Sequence, residues 1–142
     1  MKVIELSTVL NECGLAANAF SVNEIGLALM HTTKSLMHCI KCSGNVETLK
    51  ELITLSDKQV IGQSPNKMSA ISMALLYQAS FHADNGELRD VAATLLEICS
   101  LYNVNVGVLS ADDFSNDDSI TNAATVLIQS NSKLIIETIK NA

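Results

Sequence analysis

Residues 64–102 read SPNKMSAISMALLYQASFHADNGELRDVAATLLEICSLY, and they contain the clearest helical pattern in the chain. Ser64 can accept a hydrogen bond from a free backbone amide, and the proline that follows it loses no helical hydrogen bond. A helix is therefore predicted over 65–83. A turn at 84–86 separates it from a second predicted helix over 87–102, so the two should form a helical hairpin.

Apolar residues recur at steps of three and four in both halves of this hairpin, which is the spacing of one helix face. In the first helix further apolar residues flank the stripe, which predicts the central and most buried helix of the fold. The stripe of the first helix consists of Met68, Ile71, Leu75, Ala79 and His82. The stripe of the second consists of Leu88, Val91, Ala92, Leu95, Ile98, Cys99 and Tyr102.

Helical patterns continue on both sides of the hairpin. Upstream, we expect a helix over 4–20 that Gly14 can interrupt, and another from the capping box at 21–24 to about Cys42. Asn45 can start a third helix, and a second capping-box spacing at 56–59 predicts one further turn. Downstream, a last helix is predicted over about 117–139, with a candidate break at 130–132.

Residues 103–109 depart from the helical spacing because three valines alternate with Asn105 and Gly107. We expect an extended connector there or, at most, a short strand. The chain has one proline, six glycines and 4% aromatic residues, too few turn formers and aromatics for an all-β fold. The sequence predicts one all-α domain over 1–142, a bundle of about six helices with a possible short extended segment at 103–109.

The net charge of −6 arises in residues 84–118, which carry eight of the fifteen acids and one of the nine bases. Acids near helix starts stabilise those helices, and a negative surface can also attract a basic protein. Phe114 is the single aromatic in the acidic run 112–118, and it can either anchor an interface or pin the loop to the core. The candidate partner-binding residues are Asp84, Glu87, Asp90, Asp112, Asp113, Phe114, Asp117 and Asp118.

Metal and cofactor sites are not predicted. Cys39 and Cys42 form a CxxC pair, but it lies near a helix end, whereas a reactive cysteine gains acidity at a helix start. Further zinc ligands occur only singly, so buried structural cysteines are favoured, and metal binding by the pair stays open. The acidic run fails as a calcium loop because Asp118 stands where glycine is required and Ala124 where a glutamate is required.

Residues 25–40, IGLALMHTTKSLMHCI, resemble the apolar and small-residue pattern of a DNA-reading helix-turn-helix. Met30 stands where that family's turn usually has glycine, and His31 where it has an apolar residue. Only Lys34 and Lys41 are near for phosphate contacts. One continuous amphipathic helix explains the same residues, so nucleic acid is not the favoured partner.

Catalytic motifs are missing from the sequence: no GxSxG, Walker loop, dinucleotide glycine pattern or HExxH is present, and the three histidines have no nucleophile or carboxylate at motif spacing. His82 is expected to be a core or boundary imidazole. The longest uncharged run, residues 68–83, is too short and too polar to span a bilayer. The amino terminus lacks a signal-peptide core, and the four cysteines suit a reducing compartment, so a cytoplasmic protein without a membrane partner is predicted.

By elimination, the sequence predicts a non-catalytic protein that binds a basic protein partner. The favoured hypothesis is an acidic immunity-type or antitoxin-type protein that neutralises a basic toxin, for example a nuclease. The alternative is a helical chaperone or adaptor for a secreted protein, with a hydrophobic groove on residues 68–81; a helix-turn-helix regulator is the third hypothesis. A homo-oligomer stays open, because the apolar face of the helix after Ser21 can pack within the chain or against a second copy.

Overall fold

The computed structural model describes residues 3–43 and 65–141, which contain five α-helices and two 3-10 helices and no strand. The all-α prediction is confirmed, with one α-helix fewer in the described residues than the six expected. The predicted helix after Asn45, the turn at 56–59 and the Ser64 cap lie outside the described residues. The α-helices are α1 (Val3–Ser21), α2 (Ile25–Ser43), α3 (Pro65–Asp84), α4 (Leu88–Leu101) and α5 (Asp117–Lys140), and the 3-10 helices are Val106–Val108 and Ala111–Phe114.

Helix α2 lies at the centre of the described bundle because it packs against α1, α4 and α5, which all run antiparallel to it. Two contacts fix the direction of each neighbour. In α1, Val9 contacts Ser35 of α2 and Glu12 contacts His31. In α4, Leu88 contacts Cys39 and Cys99 contacts Thr33. In α5, Asp117 contacts His38 and Thr125 contacts Met30. The amino ends of α1, α4 and α5 therefore lie at the same end of the bundle as the carboxyl end of α2.

Helix α3 packs against α1 and α4, and it forms the predicted hairpin with α4. The prediction that α3 is the central helix was wrong. Tyr77 and Phe81 are 73% and 64% exposed, so one side of this apolar helix faces solvent. The apolar residues of α3 are distributed around the whole helix, so its sequence has no clear polar face from which the buried face could be predicted. The buried residues are Met68, Ser72, Leu76, Ala79 and Ala83, so the true stripe is rotated from the predicted one.

Helix α4 agrees closely with its prediction. Every member of the predicted stripe except Leu88 is buried, and Leu88 is half-buried. Tyr102 follows the helix directly and is fully buried, with its ring stacked on that of Phe20 at a centroid distance of 5.8 Å. The Ser72 hydroxyl donates to the Tyr102 hydroxyl at 3.4 Å, which gives this buried polar group a partner.

The ends of the other helices differ in part from their predictions. Helix α1 continues through Gly14 to Ser21, whose hydroxyl donates to the Asn18 carbonyl and does not cap α2. The turn between α1 and α2 is made instead by Asn23, which has a left-handed φ of 61°. Helix α5 has no break at 130–132, and the Asn131 side chain there donates to the Leu127 carbonyl at 2.7 Å.

The connector between α4 and α5 contains no strand in residues 103–109, which corrects that part of the prediction. Val104 and Val106 are buried as expected for anchored valines, but Val108 is 65% exposed. Asn105 accepts a hydrogen bond from the Gly107 amide at 3.1 Å and starts the 3-10 turn. This local turn ends the alternation of buried and exposed residues after Val106.

No described helix is both long and apolar enough to cross a lipid bilayer.

The central position of α2 predicts a large difference between two leucines of the same helix. Leu36 is fully buried, whereas Leu27 is 43% exposed. We expect Leu36→Ala to lower the free energy of unfolding by about 2–5 kcal/mol, because it leaves a cavity in the hydrophobic core. Leu27→Ala should lower it by about 1 kcal/mol or less. Urea unfolding followed by circular dichroism measures both, and equal losses would contradict the central placement of α2.

Candidate functional site

The structure gathers seven of the eight acids of residues 84–118 at one end of the bundle; the eighth, Glu97, lies farther along α4. Helices α4 and α5 both begin there, and the second 3-10 helix directly precedes α5. We call this region the acidic end, and all of its carboxylates except the half-buried Asp113 are exposed. It consists of Asp84, Glu87, Asp90, Asp112, Asp113, Asp117 and Asp118.

Three of these acids support local structure. Asp113 accepts hydrogen bonds from the Ser110 amide at 2.8 Å and from the Ser110 hydroxyl at 3.3 Å, which caps the second 3-10 helix. Glu87 lies 3.1 Å from Nδ1 of His82. Asp117 Oδ1 lies 3.9 Å from the Lys41 ammonium. These contacts explain three acids without any partner protein.

The other four acids, Asp84, Asp90, Asp112 and Asp118, have a different environment. Their carboxylates make no hydrogen bond or ion pair with another side chain in the described part of the chain, and all four are exposed. Asp90 and Asp118 lie in the first turns of α4 and α5, where negative charge favours the helix dipole. Their charges therefore remain available to a partner.

Phe114 does not belong to an exposed binding surface. Only 6% of it is exposed, and it packs into the hydrophobic core. Of the two roles that the sequence allowed, the structure shows the one that pins the loop. The interpretation of Phe114 as an interface anchor was wrong, because the 3-10 helix turns its ring inward.

A groove of about 750 Å³ runs between the connector and α5. Asp112 and Asp113 line it near the start of α5, and Val108 and Val126 line its two walls. These valines are 65% and 60% exposed. The sequence does not predict this groove, because the groove depends on how the connector lies along α5.

His38 lies under the acidic end. It is buried on α2, with Nδ1 4.0 Å from Asp117 Oδ1. Burial lowers the pKa of His38 below its ordinary value of 6.5, and the nearby carboxylate of Asp117 acts in the opposite direction. The neutral imidazole is thus the form that the fold favours.

Three of the four thiols, those of Cys13, Cys39 and Cys99, are buried. Burial raises the pKa of Cys39 and of Cys99 to about 12 and also raises that of Cys13. The Cys39 thiol donates to the Leu88 carbonyl at 3.3 Å. These contacts support the interpretation of Cys39 as a structural residue.

One group of candidate metal ligands converges within residues 3–43 and 65–141, and it does not include the cysteine pair. It consists of His82, Glu87 and Asp90, whose ligand atoms all lie within 4.8 Å of one another. The turn between α3 and α4 brings the three side chains together. This group was not predicted, because His82 falls on the apolar stripe of its helix; the signal in the sequence is the pair of carboxylates at the fifth and eighth positions after it.

The helix-turn-helix resemblance does not extend to the structure. Residues 25–43 form one continuous helix. The Lys34 ammonium lies 3.2 Å from the buried carboxylate of Glu12 on α1, and His31 Nδ1 lies 2.6 Å from the same carboxylate. Lys34 is therefore used inside the bundle.

Comparison with protein-family models finds no match, and comparisons with curated proteins and with solved structures find none either. Any function proposed for this chain therefore rests on its own surface chemistry.

The environment of His38 predicts a pH dependence of stability. Because the pKa of His38 is lower in the folded than in the unfolded chain, the unfolded chain binds the proton first as the pH falls below about 6.5. The free energy of unfolding should therefore decrease between pH 7.5 and 5.5, by less than the ~1.4 kcal/mol per pH unit that one proton can supply. His38→Gln should flatten this decrease.

Asp117→Asn should have the opposite effect to His38→Gln. Removing the carboxylate lowers the pKa of His38 further, which should make the free energy of unfolding decrease more steeply as the pH falls. Urea unfolding at several pH values measures all three proteins. The same slope for wild type and His38→Gln would show that other groups cause the dependence.

Proposed function

We propose that this protein is a non-catalytic binding protein whose acidic end and adjoining groove receive a basic protein partner. The observation that carries the proposal is the groove, in which the exposed Val108 and Val126 lie beside Asp112 and Asp113. Exposed apolar side chains bordered by charge are typical of interaction surfaces. A partner segment with both apolar and basic side chains complements this groove.

Electrostatic attraction supports the same partner class. Residues 84–118 carry eight acids and one base, and the helix directions place the flanking carboxylates at one end of the bundle. A concentrated negative potential raises the association rate with a positive protein and falls with added salt. The acidic end therefore favours a basic partner over an acidic one.

An immunity-type or antitoxin-type role is the most specific form of this proposal. A nuclease binds phosphates through a basic surface, and a protein with a concentrated acidic surface can occupy that surface. The raised pKa values of Cys13, Cys39 and Cys99 support binding over thiol catalysis. Four free thiols suit a reducing cytoplasm, which we propose as the site of action.

The proposal predicts that affinity for a basic partner depends more on where negative charge is removed than on how much is removed. Asp112→Asn/Asp118→Asn removes two exposed charges at the acidic end, without the capping contacts of Asp113. Glu24→Gln/Glu137→Gln removes two exposed charges at the opposite end and is the matched control. We expect the first variant to lose at least about fivefold in affinity for a basic partner, and the control less than about twofold.

The measurement begins with capture of partners from host lysate at about 0.05 M and about 0.5 M salt. The captured protein is then purified, and its dissociation constant is measured by calorimetry with each variant. Loss of binding at high salt and in the acidic-end variant alone supports the proposal. Equal loss in both variants, or binding that is indifferent to salt, contradicts it.

A second candidate function, a chaperone or adaptor for an amphipathic segment, is favoured by the exposed face of α3. Tyr77 and Phe81 lie one helical turn apart and are largely exposed, with Ala70 and Ala74 exposed on the same side. Large exposed aromatics at this spacing are typical of surfaces that hold another helix. Such a surface would bind through apolar contact and would depend little on salt.

Two paired variants distinguish the candidate functions. Val108→Ser/Val126→Ser alters the groove, and Tyr77→Ser/Phe81→Ser alters the face of α3; all four side chains are at least 60% exposed, so both variants should fold. The neutralising function predicts that the groove variant loses affinity for the basic partner by about tenfold while the α3 variant retains it. The opposite result, with binding that persists at high salt, would identify the chaperone or adaptor function.

A further inference from the structure

The turn between α3 and α4 brings a histidine and two carboxylates from different helices to one point. His82 lies in the last turn of α3, Glu87 directly precedes α4, and Asp90 lies in the first turn of α4. The Nδ1 atom of His82 is 3.1 Å from Glu87 Oε1, and one ligand atom from each of the three residues lies within 4.8 Å of the others. Small side-chain rotations can therefore direct all three toward one ion.

The surroundings leave these ligands free to turn. The His82 side chain is 21% exposed and that of Glu87 is 46% exposed, so an ion can enter from solvent and keep bound water. Glu87 and His82 make one contact with each other, which an ion between them would replace by two stronger ones. The last carbonyls of α3 also carry partial negative charge, which favours a cation beside His82.

The donor set identifies the class of ion. One imidazole nitrogen with two carboxylate oxygens suits zinc and neighbouring transition metals, whereas magnesium and calcium prefer oxygen ligands alone. Three protein ligands leave at least one position for water in a tetrahedral zinc site. We propose that His82, Glu87 and Asp90 bind a divalent transition-metal ion, represented by Zn²⁺, which clamps the carboxyl end of α3 to the amino end of α4.

This inference does not rest on the proposed binding function, and a simpler explanation competes with it. Glu87 and Asp90 would occupy their positions for the helix dipole alone, and His82 would simply pair with Glu87. Under that explanation a cation is attracted only by the total negative charge. Asp84 distinguishes specific metal binding from general attraction, because it is an exposed acid beside the same turn but is not a member of the ligand group.

The test is a calorimetric titration of the full, reduced protein with Zn²⁺ at neutral pH. We expect one saturable site in the wild type. His82→Gln, Glu87→Gln and Asp90→Asn should each weaken zinc binding by at least about tenfold, and Asp84→Asn, which removes the same charge as Asp90→Asn, by less than about threefold. Excess Mg²⁺ should displace little of the zinc.

Thermal unfolding provides an independent readout in the same proteins. Zinc should raise the unfolding temperature of the wild type and of Asp84→Asn, and it should not raise that of His82→Gln, whose apo midpoint reports whether the variant folds. Cobalt in place of zinc reports the ligands, because cysteine ligands give an intense sulfur-to-metal absorption band that nitrogen and oxygen ligands lack.

Four results would overturn the inference. They are the absence of saturable zinc binding, full zinc affinity in His82→Gln, equal weakening by Asp84→Asn and Asp90→Asn, and a cobalt spectrum with the sulfur band. The fourth would place the metal at cysteines, the second would show that the metal binds without His82, and the third would reduce the effect to general attraction.

Discussion

The burial of α2 on three sides is the constraint on which the rest of the described bundle depends. A helix in this position must be apolar or must give each polar side chain a partner. Thr32 and Thr33 meet the requirement by donating to carbonyls one turn back in α2, at 2.8 Å each, and Ser35 by donating to the Val9 carbonyl at 2.9 Å. In the described residues no buried side-chain nitrogen or oxygen is left without a hydrogen bond.

The antiparallel packing of three helices on α2 also explains where the acids lie. It places the amino ends of α1, α4 and α5 together, and their partial positive charges would accumulate without compensation. Acids at the starts of α4 and α5 offset two of these ends. The acids of this group differ in their surroundings: Asp113 and Glu87 have local partners, whereas the carboxylates of Asp112 and Asp118 make no hydrogen bond or ion pair with another side chain in the described residues.

The sequence predicted those features that depend on neighbours along the chain. The limits and buried face of α4 followed from one clean stripe between a turn and Tyr102. The face of α3 did not, because a helix that is apolar on all sides can be oriented only by its neighbours. The inward position of Phe114 and the groove beside Val126 depend on how the connector folds back along α5, which local spacing does not determine. The acids of the candidate site were identified, but the contact of His82 with Glu87 was not.

The acidic end consists of two lobes with different chemistry. The α4 lobe contains Asp84, Glu87 and Asp90, and the α5 lobe contains Asp112, Asp113, Asp117 and Asp118. Helices α4 and α5 contact α2 through the adjacent residues Cys39 and His38, which point about 100° apart around the helix axis. The α5 lobe combines its acids with exposed valines, so charged and apolar side chains lie beside each other at its groove. The α4 lobe has an imidazole among its acids, and this donor set favours a small cation. Because the lobes lie on different flanks of α2, a protein seated in the groove need not cover His82, and a cation at His82 would leave Asp112 and Asp118 charged. The two proposed interactions are therefore compatible, because the acids that form one continuous region of the sequence are divided between two separate surfaces.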